Sequence, residues 1–181
     1  MKNLLGIIRS LANQTDVEGR SAKELRDAFL GRLQTVSEAE TLGLAGGTET
    51  DLSVLVEQSL KVASPEQCRL VAGPAVRLRP RQVVPMSLIL HELVTNAFKY
   101  GALSKPGGLI HLSWRTSDDQ GKSLLHIDWR EENGPPVTQP TRSGFGSKLI
   151  ELSATQDLRG SVELKYEPAG LRVYITAPVE A

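Results

Sequence analysis

Hydrophobic positions along this chain change period near residue 63. Before that point they recur at helical spacing: Leu4, Ile8 and Leu11, then, after polar turn residues at 13–19, Leu25, Phe29, Leu33 and Val36. Residues three and four apart share a helix face, so each set predicts an amphipathic helix. Lys23, Glu24, Arg26, Asp27 and Glu38 fall mostly off the second stripe. Gly46-Gly47 predicts its stop, and Asp51 is placed to N-cap a short helix through Leu55, Val56 and Leu60. Two antiparallel amphipathic helices cannot bury their stripe unaided, so they need a partner copy or the domain that follows.

After Ser64-Pro65 the pattern becomes mixed. Short strands are predicted at 68–71 and 75–78, around a turn at Gly73-Pro74. A strongly periodic helix covers 85–100, with Pro85 either at its first position or kinking a helix that begins nearer Pro80. Alternating strands follow at 109–115 and 124–129, with a turn at 118–121 between them. A Gly/Pro loop spans 133–146, a helix 148–157 ends by Gly160, and a hairpin pairs 162–166 with 171–177 about Pro168-Ala169-Gly170. The pattern predicts an α+β protein in two parts. Residues 1–63 form a helical hairpin with a connecting helix, and 64–181 form a two-layer α/β sandwich with its helices on one sheet face.

Composition narrows the function classes. Hydrophobic residues make up 40 % and charged residues 23 %, and the formal net charge is zero, so no global field draws nucleic acid or anionic membrane. Aromatics at 4 % argue against base-stacking surfaces. The single cysteine, Cys68, excludes an intramolecular disulfide, fits a reducing cytosol and reads as a half-buried bystander. No apolar run reaches the ~20 residues of a membrane span.

The chemistry concentrates on His91-Glu92-Leu93-Val94-Thr95-Asn96-Ala97-Phe98-Lys99-Tyr100-Gly101. At ~100° per residue, Ile89, Leu93, Ala97 and Tyr100 gather on one arc as a core face. Glu92, Asn96 and Lys99 line up on another side, because i, i+4 and i+7 are neighbours. A carboxamide oxygen can hold Mg²⁺, which prefers oxygen ligands and keeps water and phosphate. An ammonium suits a phosphate, and a carboxylate can orient water or the metal shell. Taken alone, the three residues read first as a solvated face carrying a charge pair. His91 falls ~100° from Glu92, nearer Thr95 and Phe98, where it supports neighbouring elements or packs structurally. His111 and His126 lie on strands without metal-ligand spacing.

The run resembles the N-box of the GHKL ATPase superfamily, and further elements recur downstream in order: Trp129-Arg130-Glu131, then Gly144-Phe145-Gly146. His91 with Trp-x-Glu is similar to the HWE subfamily of histidine kinases. The resemblance implies a GHKL (Bergerat) ATP-binding fold with ATP and Mg²⁺ as ligands. It implies that Asn96 coordinates Mg²⁺, that Lys99 and Tyr100 contact nucleotide, and that Glu92 acts as a base or orients the metal shell. Glu131 would accept the adenine amine. Asn133-Gly134 and Gly144-Phe145-Gly146 would form the two glycine boxes, whose missing side chains let backbone amides approach phosphate. Asn133 stands where a glycine is usual, and Asn tolerates a left-handed backbone. Trp129 reads as a core or pocket-wall aromatic.

The resemblance further implies that a γ-phosphoryl group passes from ATP to a histidine and on to a response-regulator receiver domain. Its setting would be the cytoplasm, with an upstream sensor domain and dimerisation through the front helices. The family's first helix begins His-Arg-(Val/Met)-Lys-Asn; Met1-Lys2-Asn3 matches its last three places, and no histidine precedes His91. The acceptor is therefore expected two residues before Met1, either because the sequence is truncated or because the helices have become a scaffold. A kinase-inactive phosphotransfer or scaffold relative is the alternative function. A gyrase- or chaperone-like ATPase would need a longer lid and further domains.

Overall fold

A computed structural model describes residues 21–45, 49–119, 121–140 and 144–179; the helix expected around residues 4–11 and the stop at Gly46-Gly47 lie outside them. Helix α1 (Ala22–Ala45) carries the stripe read from Leu25 to Val36. Strand β1 (Thr50–Asp51) leads into α2 (Leu52–Leu60), where Asp51 Oδ1 accepts the Ser53 N–H at 2.9 Å. That cap satisfies one of the four donors a helix start leaves open.

Two short strands follow, β2 (Cys68–Val71) and β3 (Arg77–Leu78). They do not pair with each other across Gly73-Pro74. Strand β2 joins β4 in parallel, while β3 pairs antiparallel with β1. The connection is pinned elsewhere, by the Trp114 indole N–H on the Pro74 carbonyl at 2.9 Å. Helix α3 (Pro80–Lys99) starts at Pro80 and carries Pro85 in its interior. Its start is held by Gln82, whose Oε1 accepts the Arg79 N–H at 3.2 Å and whose Nε2 donates to the Pro178 carbonyl at 2.9 Å.

Strand β4 (Leu109–Asp119) starts where predicted and runs past its predicted end, β5 (Lys122–Glu132) runs past both of its predicted limits, and the two are joined at Gly121 with φ +79°. Helix α4 (Phe145–Leu152) begins three residues earlier than its periodicity suggested and passes into a single π-helical turn at Ser153–Asp157. Strands β6 (Ser161–Glu167) and β7 (Gly170–Val179) form the expected hairpin.

The five-stranded sheet has order β2-β4-β5-β7-β6, with only β2 parallel to its neighbour. Period-two alternation explains its two faces. Ile110, Leu112, Trp114, Leu125, Ile127, Trp129, Val173 and Ile175 are buried beneath the helices. The other face carries polar pairs such as Asp128 with Arg172 at 3.0 Å. This is the two-layer α+β arrangement the sequence predicts. Val36, Ala39, Leu52, Leu55 and Val56 belong to the same hydrophobic core as α3 and the sheet. The apolar stripe of α1 is therefore covered, at least in part, by α3, and packing runs continuously across residue 63.

Candidate functional site

Helix α3 is the spine of the site. Ile89, Leu93 and Ala97 are wholly buried and fix its rotation against the sheet. That rotation sends Glu92, Asn96 and Lys99 along another side, which passes from buried to half-buried to exposed. At the C-terminal end Tyr100 is exposed, and the chain turns sharply at Gly101.

The interior end of this row contains a group the sequence reading missed. Glu92 is 2 % exposed, and both carboxylate oxygens are taken by Arg32 of α1, at 2.6 Å from Nε and 2.9 Å from Nη2. This is the bidentate fork geometry that suits guanidinium and carboxylate planes. The Arg32 guanidinium carbon lies 4.0 Å from the centre of the Phe145 ring, a cation–π stack. One nitrogen, Nη1, is buried and has no hydrogen-bond partner among the described residues. A signal was present: Arg32 stands three residues after Phe29 and four before Val36, close to the apolar stripe rather than opposite it.

Gly146 sits against the same cluster. A Cβ built there would lie 2.6 Å from Glu92 Oε2 and 3.4 Å from Asn96 Nδ2, so a side chain would fill the space between helix α4 and the Asn96 carboxamide. Gly144 precedes α4 without a side-chain cap, so among the described residues no capping side chain meets the first amides of the helix. Phe145, between the two glycines, is buried under Arg32 rather than facing solvent.

The opposite end of the site is built around Glu131. It is 3 % exposed at the end of β5 and accepts the Ala102 N–H at 2.8 Å and the Trp129 indole N–H at 3.1 Å. Burial pushes its carboxyl above the usual glutamate range, and the two hydrogen bonds pull the other way. Gly101 makes this approach possible, because a Cβ there would fall 1.9 Å from Glu131 Oε2. Asn133 adopts φ +59°, the left-handed conformation expected of it, and Gly134 packs against Gly101 and Ala102. The structure thus brings Glu92, Asn96, Gly144 and Gly146 to one end of a seam along α3. Glu131, Asn133 and Gly134 gather at the end of α3 beyond Lys99.

His91 lies apart from that seam. Its Nδ1 is 3.0 Å from Thr35 Oγ1, and its ring packs against α1 at Gly31. It lines a cavity of about 390 Å³ between α1, α2 and α3, shared with Thr35, Glu38, Leu55, Thr95 and Phe98. Burial lowers its imidazole below the ordinary value, with Glu92 opposing and Arg32 reinforcing the shift. His111 pairs with Glu132 and His126 with Ser117, both on the sheet. Cys68 is half-buried, and burial raises its thiol, as befits an unreactive residue. No three His, Cys, Asp or Glu side chains among the described residues could hold a metal together. Nor is any described helix long and apolar enough to cross a membrane.

The fold is shared with solved histidine kinase domains. The histidine kinase domain of a blue-light activated histidine kinase from Erythrobacter litoralis superposes with a TM-score of 0.68 at 15 % identity, covering 99 % of this chain and 89 % of that one. The ATP binding domain of PrrB from Mycobacterium tuberculosis gives 0.54 at 21 % identity, covering 74 % and 98 %. The molecule therefore shares the fold of these histidine kinase domains, with α1 and α2 preceding a two-layer α/β sandwich. Residues 1–75 match the HWE histidine kinase family. A blue-light-activated histidine kinase of Brucella anthropi is 34 % identical over 183 residues, 99 % of this chain and 37 % of that protein. Its counterpart in Brucella ovis is 31 % identical over 98 % of this chain and again 37 % of the relative. The chain belongs to the HWE histidine kinase family, and it spans a little over a third of the length of these relatives.

Proposed function

We propose that this chain is the Mg-ATP-binding catalytic region of a two-component sensor histidine kinase, with 64–181 as its ATP-binding domain and 1–63 as its helical, dimerisation-type part. The observation that carries the reading is the glycine seam along α3. Gly146 leaves open the space beside Asn96, and Gly134 closes on Gly101-Ala102 next to Glu131. A triphosphate needs backbone amides near its oxygens and a carboxamide oxygen near its metal, and these residues fit both groups. Mg²⁺, when bound, would be held from the protein side by Asn96 and would neutralise the charge of the phosphates.

In this reading Asn96 supplies the protein's oxygen to Mg²⁺, exposed Lys99 meets phosphate, and Tyr100 borders the nucleotide. The open amides after Gly144 face the phosphates, with Phe145 anchoring that turn from beneath. Glu131 receives the adenine amine through a remaining lone pair, and Asn133-Gly134 shape the turn beside it. Glu92, held by two hydrogen bonds to Arg32, fits an orienting role better than proton abstraction. His91 and Trp129, the family's other signature residues, serve as packing groups on the α1 side and beneath Glu131.

In the longer protein the reaction forms a nitrogen–phosphorus bond on a histidine imidazole as the β,γ-bridging bond of ATP breaks and ADP departs. The phosphoryl group then moves to an aspartate of a response-regulator receiver domain. ATP as substrate places this work in the cytoplasm, with a sensor domain as input and the front helices as the dimer contact. The test is calorimetric titration of wild type and Asn96→Ala with ATP, with and without Mg²⁺. The reading expects magnesium-dependent affinity that Asn96→Ala removes; equal magnesium-dependent affinity in both would sink the assignment.

A further inference from the structure

We propose that Arg32, on the helical front, is a phosphate-binding residue of the nucleotide site, reaching it through the free edge of its guanidinium. The proposal rests on the nucleotide reading above and adds to it a residue from outside the ATP-binding domain.

Arg32 has a side chain 7 % exposed, yet only part of its donor capacity is used. Nε and Nη2 bond Glu92, while Nη1 is buried with no partner among the described residues. Leaving a buried donor unmet is unfavourable, and native structures rarely do so without a reason. Its surroundings point to an anion. The guanidinium plane stacks on Phe145, the first residue of α4. That helix has eight residues and no side-chain cap at Gly144, so its initial amides present partial positive charge. Gly146 keeps the adjoining space clear as far as Asn96. The start of α4, the Asn96 carboxamide and the Glu92 carboxylate that holds Arg32 therefore meet around Gly146, with the guanidinium stacked on the adjoining Phe145.

The chemistry also explains why the residue is arginine. A planar fork can give one edge to Glu92 and keep a fixed donor on the other, whereas a lysine ammonium is a single point of charge. Glu92 offsets part of the cost of burying the cation, and its two hydrogen bonds fix the plane of the guanidinium. A phosphate oxygen then completes the guanidinium's hydrogen bonding. Nucleotide binding and the seating of α1 on α3 would in this way share one side chain.

The test compares the affinities of MgATP and adenosine for wild type, Arg32→Gln and the double variant Arg32→Gln/Glu92→Gln. The double variant leaves no uncompensated buried charge, and thermal melts confirm that each protein is folded. Both variants should weaken MgATP roughly ten-fold or more, the effect of one charge-assisted hydrogen bond, with adenosine affinity unchanged. Equal losses for MgATP and adenosine, or no loss for either, would make Arg32 a structural counter-ion and overturn the proposal. Wild type that fails to bind MgATP at all would overturn the nucleotide reading and this proposal with it.

Discussion

Glu92 and Glu131 are both almost completely buried, at opposite ends of the same seam, and their carboxylates are satisfied by different means. Glu131 is met by neutral donors from its own neighbourhood, the Ala102 amide and the Trp129 indole. Its charge is left uncompensated, and burial raises its carboxyl. Glu92 is met by a full cation from α1, sixty residues earlier in the chain. The difference separates local architecture from long-range coupling. One end of the seam is self-contained within the ATP-binding fold, and the other exists only while α1 is docked on α3.

Breaking the long-range end should therefore cost most. Arg32→Ala leaves Glu92 as an unpaired buried charge, expected to destabilise by about 3–5 kcal/mol in urea denaturation. Arg32→Met/Glu92→Leu should recover most of that loss. A small effect of Arg32→Ala alone would mean that α1 is not held by this pair.

Glu131→Ala removes the acceptor of two hydrogen bonds and should cost about 1–3 kcal/mol, less than Arg32→Ala because no charge is orphaned. Its pH dependence carries a sign. The folded carboxyl is raised above its ordinary value of 4.5, so the folded state holds this proton more tightly than the unfolded one. The stability linked to that proton is fully present below pH 4.5 and is lost as pH rises through the raised value. Denaturation midpoints measured across acidic to neutral pH should show this loss in wild type and not in Glu131→Ala. The same variant should weaken ATP more than inosine triphosphate, which lacks the amine.

Gly146→Ala sharpens the contrast at a smaller scale. Its Cβ would come within 2.6 Å of Glu92 Oε2, which Arg32 prevents from swinging away. A cost of about 1 kcal/mol is expected from thermal melts, with weaker MgATP binding. Gly144→Ala, which meets nothing within 4 Å, should be nearly silent in stability.

Much of this was legible in the sequence. Helix α3 declared itself because Ile89, Leu93 and Ala97 keep helical period while Glu92, Asn96 and Lys99 hold another side. The turn at Asn133 and the Asp51 cap follow from local backbone chemistry and were equally readable. What escaped depends on distant partners. The pairing of Cys68–Val71 with β4, and of Arg77–Leu78 with β1, is set by tertiary packing rather than by the turn between them. Arg32 does not stand out in the sequence, because a charge on a helix usually marks solvent. Helix α4 starts at Phe145 because the buried ring under Arg32 anchors a segment whose two glycines read as loop.

The smallest expected effect lies at His91. Its folded value is lowered below 6.5, so the unfolded state binds the proton more readily. The stability linked to the neutral ring is present above pH 6.5 and is lost as pH falls toward the lowered folded value. His91→Gln should flatten that acid-side loss in thermal melts. Because His91 lines the cavity between α1, α2 and α3 rather than the glycine seam, it should leave MgATP affinity largely unaltered.

The central claim, that nucleotide occupies the seam along α3, is tested most directly by hydrogen–deuterium exchange with and without MgATP. Protection should appear at the C-terminal half of α3, at residues 131–134 and at the start of α4, with the α1 segment around Arg32 following. No protection, or protection confined to the cavity lined by Thr35, His91 and Phe98, would contradict it.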